Sequence, residues 1–182
     1  MRVYNSESIR NLLQFCRKIG IVWRNIFKET SISNNSLNIK GNKYFESIRK
    51  FYAVDIGLRN AKLNFRQQEI THIMEDVIYN ELRMMGFAVD IGLVEAREMR
   101  NGKTEYIQYE VDFIANNGTE KYYIQSAFAL DDEEKRQQEL NSLLRIDDSF
   151  RKVVIVGSDI AEYTDGKGIR FMGLFQFLLS GL

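Results

Sequence analysis

Two runs of alternating side chains on either side of a turn signal constrain this chain more than any other stretch. In the first, Tyr106 to Phe113, the residues Ile107, Tyr109, Val111 and Phe113 point one way and Glu110 and Asp112 the other, the period of a half-buried strand. In the second, Tyr122 to Phe128, Tyr123, Gln125 and Ala127 share a face. Between them Asn116-Asn117-Gly118 supplies the positive φ of a tight hairpin turn. Paired, the two runs set Asp112 beside Gln125 on a sheet and send the apolar residues into the core. An acid at the position of Gln125 and a lysine two residues on would give that face a divalent metal beside a scissile phosphate. The chain carries the first acid and lacks the base, since Ala127 stands two residues after Gln125.

The flanking segments define the architecture around this hairpin. A helix is predicted over Glu69 to Met85, with Ile70, Ile73, Met74, Val77, Ile78 and Leu82 on one stripe and Gly86 at its end. Phe87, Val89, Ile91 and Leu93 alternate as a preceding strand, and Asn101-Gly102 reads as the turn that joins it to Tyr106–Phe113. Asp131 to Glu134 loads acids onto the start of a further helix, where the macrodipole favours them, and Leu140, Leu143, Leu144 and Ile146 give it a buried side. Val153 to Val156 is an apolar run suited to a strand buried on both faces. A short strand at Ile169–Met172 and a helix at Leu174–Leu179 close the chain. Helix, three strands, helix, strand is the order of an α/β fold with a mixed sheet.

Upstream, Ser6 or Ser8 caps a predicted helix with Ile9, Leu12, Leu13, Cys16 and Ile19 at helical spacing, and an amphipathic piece spans Ile21 to Phe27. Thr30 to Asn38 is a Ser/Asn-rich linker, and a short strand is expected around Tyr52 and Val54. These divisions predict a basic helical extension and linker over residues 1–42 and an α/β domain over 43–182. Charge follows the same line. Up to Gln67 there are 13 Lys and Arg against 4 Asp and Glu, and the remainder has 12 against 21, although the whole chain is neutral. Arg24, Lys28, Lys40, Lys43, Arg49 and Lys50, interleaved with aromatics, are the candidates to meet a phosphate backbone; attraction between the two ends of one fold is the alternative. One cysteine excludes an intrachain disulfide and a cysteine-built zinc site, which makes a reducing, cytoplasmic setting the expectation. No apolar run reaches the length of a membrane span.

Three features resemble sites without being complete. Gly102-Lys103-Thr104 lacks the earlier glycine of a phosphate-binding loop, because Arg97 occupies that place. His72 has no Ser, Cys or second His motif to serve. The acids from Asp131 lack calcium-loop spacing, and helix capping explains them.

Four ordered words, Phe51 to Asn60 (FYAVDIGLRN), Met74 to Leu82 (MEDVIYNEL), Glu110 to Phe113 (EVDF) and Tyr123 to Ser126 (YIQS), resemble the C-terminal domain, of unknown function, of a bacterial and archaeal AAA+ ATPase family. That domain looks like a PD-(D/E)XK nuclease, so the resemblance implies a restriction-endonuclease-like core. It also implies roles. Glu75 corresponds to the helix acid and Asp112 to the strand acid that hold Mg²⁺ in active relatives, Gln125 falls at the second strand acid, and Ala127 falls at the catalytic lysine. The ATPase module and its phosphate-binding loop are absent from this sequence, so no ATP hydrolysis is expected.

The expectation is therefore a noncatalytic nuclease-fold accessory domain of an ATPase system that binds nucleic acid or a partner protein. Its vestigial site would be Glu75, Asp112 and Gln125, with no cofactor or a weakly held Mg²⁺ on Glu75 and Asp112. DNA and a separate ATPase subunit are the expected partners, and no membrane. Two alternatives stand beside it: a Mg²⁺-dependent DNA nuclease whose lysine is displaced, for instance to Lys50 or Lys135, and a pure protein-interaction module.

Overall fold

The structure is a computed structural model, and it describes residues 27–28, 37–38, 50–66, 69–100, 103–130 and 133–182. The helix expected over 6–18, most of the piece from Ile21, and Arg24, Lys40, Lys43 and Arg49 lie outside the described residues. Of the stretches expected as helix and linker, Phe27–Lys28 (β1) and Leu37–Asn38 (β2) are instead strand backbone. Each is two residues long and satisfies its backbone groups against a strand from later in the chain. β1 pairs antiparallel with Tyr52–Ala53 (β3), and β2 pairs parallel with Gly92–Leu93 of the next strand, β4.

A short helix follows β3, Ile56–Lys62 (α1), capped by the Asp55 carboxylate, which accepts the Leu58 N–H at 2.9 Å. The long helix Ile70–Met84 (α2) matches the apolar stripe, burying Met74, Ile78 and Leu82, while Ile70 is left exposed and Tyr79 is buried in addition. It ends as its glycine suggests: Gly86 N–H donates to Arg83 and Phe87 N–H to Leu82, which closes the last turn. Ala88–Arg100 (β4) and Lys103–Asn116 (β5) form a long antiparallel pair, with Arg100 opposite Lys103. Lys121–Ala127 (β6) returns antiparallel to β5 through a turn held by Asn116 and Asn117, whose side-chain oxygens accept the N–H groups of Gly118 and Glu120 at 2.8 Å.

Glu133–Leu144 (α3) then crosses to Arg151–Val156 (β7), parallel to β6. Tyr163–Thr164 (β8) and Ile169–Gly173 (β9) add the far edge before the closing helix Leu174–Ser180 (α4). The sheet is mixed, in the order β2-β4-β5-β6-β7-β9-β8. It has a core on each face, which makes this an α/β fold. One core joins β3, α2 and α4 through Tyr52, Ile78, Leu82, Phe113, Ile124, Ile155 and Phe177. The other joins α3 through Val111, Ile114, Tyr123, Leu143, Val154 and Phe171. Val153 and Ile155 enter the first core and Val154 and Val156 the second, so β7 is buried on both sides as its apolar run predicts. Burying a side chain of this size completely contributes roughly 1.5–3 kcal/mol, and these layers carry the fold.

The alternation predicted for β5 fails at one point, and that point positions the candidate site. Asp90 pairs with Ile114 but Gly92 pairs with Val111, so Ile91 alone faces two residues, Asp112 and Phe113. This is a β-bulge, and it reverses the side on which later residues fall. Val111 packs in the α3 core and Phe113 in the α2 core, contrary to the common face the sequence period assigns them.

Candidate functional site

The segment Lys50-Phe51-Tyr52 is held against α2 by two side chains one helical turn apart. Asp76 accepts the Ala53 N–H at 3.0 Å and Asn80 donates to the Ala53 carbonyl at 2.8 Å, so the helix satisfies both backbone groups of that residue. Asp76 is buried, with the Arg59 guanidinium 3.8 Å from its other oxygen. Burial pushes its carboxyl above the usual range, against the pull of the Ala53 bond and Arg59.

This clamp sends Lys50 into a nest of carboxylates. Its Nζ lies 2.5 Å from Glu110, 3.2 Å from Glu75 and 3.4 Å from Asp112. Glu110 and Asp112 share this face as their i, i+2 spacing on β5 predicts, and Glu75 meets them from α2. The second oxygen of Asp112 is held by Ser126, whose N–H and hydroxyl donate at 2.8 and 2.9 Å. These bonds stand where the β5–β6 ladder has ended, since its last paired residues are Phe113 and Ile124.

One ammonium among three carboxylates explains the titration of both partners. For Lys50, burial alone would lower the pKa, but the charge of Asp112, the bond to Glu110 and the charge of Glu75 together hold it above the ordinary lysine value. Glu75 is also pushed up, first by burial and then by the nearby charge of Asp112, which the share of Lys50 it receives does not offset. The cation has more partners than it needs, and this acid has less than one.

Gln125 does not join this group. Strict alternation along β6 turns its side chain to α3, where its Nε2 donates to Glu139 at 3.2 Å and its Oε1 lies 3.4 Å from the Ser142 hydroxyl. It touches Asp112 only through the backbone, accepting the Asp112 N–H at 3.4 Å. The expected side-by-side placement of the Asp112 and Gln125 side chains is therefore corrected: the bulge puts the first on the α2 face, and alternation puts the second on the α3 face. Ala127 is buried in the α3 core, so a lysine at that position would point away from Asp112. Glu139 is half-buried with its carboxyl pushed up, mainly by burial.

Of the six residues read as a basic surface, only the Lys50 side chain lies among the described ones, and it is engaged by carboxylates. Lys28 is described as β1 backbone alone. His72 sits exposed on α2 with its Nδ1 2.6 Å from Glu69, its neighbour one turn away. Among the described residues no group of three or more His, Cys, Asp or Glu is arranged to hold a metal, and no helix is long and apolar enough to cross a membrane. The sequence reading missed Ser126, which orients Asp112, and gave Glu110 no role. It left Tyr52 as a core aromatic only. The first omission has a signal, because Ser126 alternates with Gln125 and so must face the other way.

Beside the nest lies a cavity of about 200 Å³ lined by Lys50, Phe51, Tyr52, Arg59, His72, Glu75 and Asp76.

No family model matches the sequence. The chain is similar to an uncharacterized protein of Haemophilus influenzae, with 28% identity over 142 residues that cover 78% of this chain and 32% of that protein. The chain thus spans about a third of the length of the relative it matches. No solved structure matches the chain.

Proposed function

We propose that the chain is a nuclease-fold accessory domain without catalytic activity, with a restriction-endonuclease-like core, that serves an AAA+ ATPase system by binding nucleic acid or a partner protein. The observation that carries this reading is the position of the Lys50 ammonium between Glu75, Glu110 and Asp112. A divalent metal needs those oxygens as open, charged ligands, and a fixed ammonium both fills the space and neutralises part of the charge. Gln125 and Ala127 face the other side of the sheet and supply neither a ligand nor a base there. The order α2, β4, β5, β6, α3, β7 supports the nuclease-like core, and the excess of Lys and Arg before residue 68 supports a contact with phosphates. The longer relative supports a role as one part of a larger protein.

The test is cleavage. Plasmid and single-stranded DNA should survive incubation with the pure protein in Mg²⁺ or Mn²⁺. The second reading, a Mg²⁺-dependent nuclease with a displaced lysine, is favoured by one distance, the 3.4 Å between Lys50 and Asp112. Metal-dependent cutting abolished by both Asp112→Asn and Lys50→Ala would establish it and overturn the first. For the binding half, duplex affinity should be independent of sequence and fall steeply with salt through counterion release. Reversing the charges of Lys40 and Lys43 should shrink that salt slope in fluorescence anisotropy. No DNA binding even at low salt would leave a protein-interaction module.

A further inference from the structure

The Tyr52 ring is fixed on three sides. It stacks on Tyr79 with centroids 4.4 Å apart and tilts against Phe113 at 5.7 Å, and the residue is only 4% exposed. Its hydroxyl is buried and has no hydrogen-bond partner. Burial, with Glu75, Asp112, Glu110 and Asp76 nearby, holds the phenol well above its ordinary pKa, so it keeps its proton and presents a permanent donor. Buried polar groups are almost always paired, and one that is not asks for a missing partner.

The cavity that Tyr52 lines shows what that partner must be. Four carboxylates, Glu75, Asp76, Glu110 and Asp112, stand around Tyr52 against the two cations Lys50 and Arg59, so an oxyanion is repelled. A simple cation has only lone pairs to seek and cannot accept the Tyr52 proton, and the Lys50 ammonium already meets the acids. A hydroxyl group does both, accepting from Tyr52 while donating to a carboxylate such as Glu75. Phe51, 60% exposed at the rim, offers a flat apolar surface to the face of a ring. About 200 Å³ is below the size of pockets for larger ligands and suits one ring.

We propose that this cavity binds a neutral hydroxylated ring, a free sugar or the sugar of a nucleoside, with Tyr52 and Glu75 sharing one of its hydroxyls and Phe51 against its face. This goes beyond the nuclease-fold reading and does not depend on it, since it uses no metal and none of the basic residues before Lys50.

The test is a titration of the 182-residue chain, followed by amide chemical shifts, with D-ribose, adenosine and inorganic phosphate as probes. Ribose and adenosine should move the same amides around Phe51 to Ala53, and phosphate should not. Adenosine binding more than about tenfold tighter than ribose assigns the site to a nucleoside, and equal affinity assigns it to a free sugar. Tyr52→Phe keeps the ring contacts and should weaken either probe by about five- to tenfold, the worth of one hydrogen bond. It should also raise the thermal midpoint of the unliganded protein, because the orphaned hydroxyl is gone. Should that variant not fold, Phe51→Ala at the exposed rim carries the test and must weaken adenosine with an unchanged circular dichroism spectrum. Shifts caused by phosphate alone, no shifts with either neutral ring, or equal affinity in Tyr52→Phe would each overturn the proposal, the last two pointing to an ordered water as the hydroxyl's partner.

Discussion

Lys50 is the residue on which the local electrostatics turn. Its side chain is a quarter exposed and holds three acids that would otherwise repel one another across β5 and α2. Removing one partner of a fully buried ion pair costs about 3–5 kcal/mol. With solvent still reaching this one, Lys50→Met should destabilise the protein by about 2 kcal/mol in urea unfolding. Adding Glu110→Gln should recover part of the loss, because one of the stranded charges goes with it. A neutral result for the single variant would show that the acids are solvated without the lysine. The sequence shows Lys50 only as one of several basic residues before a strand. Its actual contacts depend on Asp76 and Asn80 clamping Ala53, a pairing 23 and 27 residues apart in the chain that no local pattern reveals.

At the scale of elements, the bulge in β5 is what gives Asp112 its face, and Gly92 is what allows the bulge. A Cβ at Gly92 would lie 2.9 Å from the Cβ of Val111 and 3.0 Å from Cδ1 of Ile114, atoms fixed by the α3 core. Gly92→Ala should therefore cost about 1–3 kcal/mol, as overpacking does, read as a shift of the denaturant midpoint at constant slope. Gly86→Ala is the contrast, since a Cβ there meets nothing within 4 Å and the cost comes from its φ of +89° alone. Most elements were legible beforehand because their signals are local. The α2 stripe, the Asn116-Asn117-Gly118 turn and the β7 run each state a period or a turn requirement within a few residues. The bulge was not legible, because EVDF alternates perfectly and the extra residue appears only when β5 is aligned against Gly92. From that one slip follow both the separation of Asp112 from Gln125 and the conversion of an expected metal face into a lysine-filled nest. β8 was equally hidden, since two exposed residues, Tyr163 and Thr164, carry no burial pattern.

For the whole molecule, the buried acids dictate how stability responds to pH. Glu75, Asp76, Asp90 and Glu139 all have carboxyls pushed above the ordinary range, with burial the largest cause in each. Each therefore binds its proton more tightly folded than unfolded. The stability this provides is fully present below the ordinary carboxyl pKa of about 4 and is lost as pH rises through the folded values. Lys50 has a raised pKa as well, but its contribution is complete below the ordinary lysine value and changes only in strongly alkaline solution. Glu162 runs the other way, lowered first by its bond to Arg170, and it is fully exposed. The buried group should prevail, so the urea midpoint should rise as pH falls from about 7.5 towards about 5. Glu139→Gln should flatten that dependence, because it removes one of the four raised carboxyls while keeping an oxygen for Gln125. Lys50→Met should steepen it, because Glu75 loses the cation that lowers its pKa. A midpoint that falls steadily with acid in the wild-type protein, or one that Lys50→Met leaves unchanged in slope, would mean that the acids around Lys50 are not buried in solution as they are in this fold.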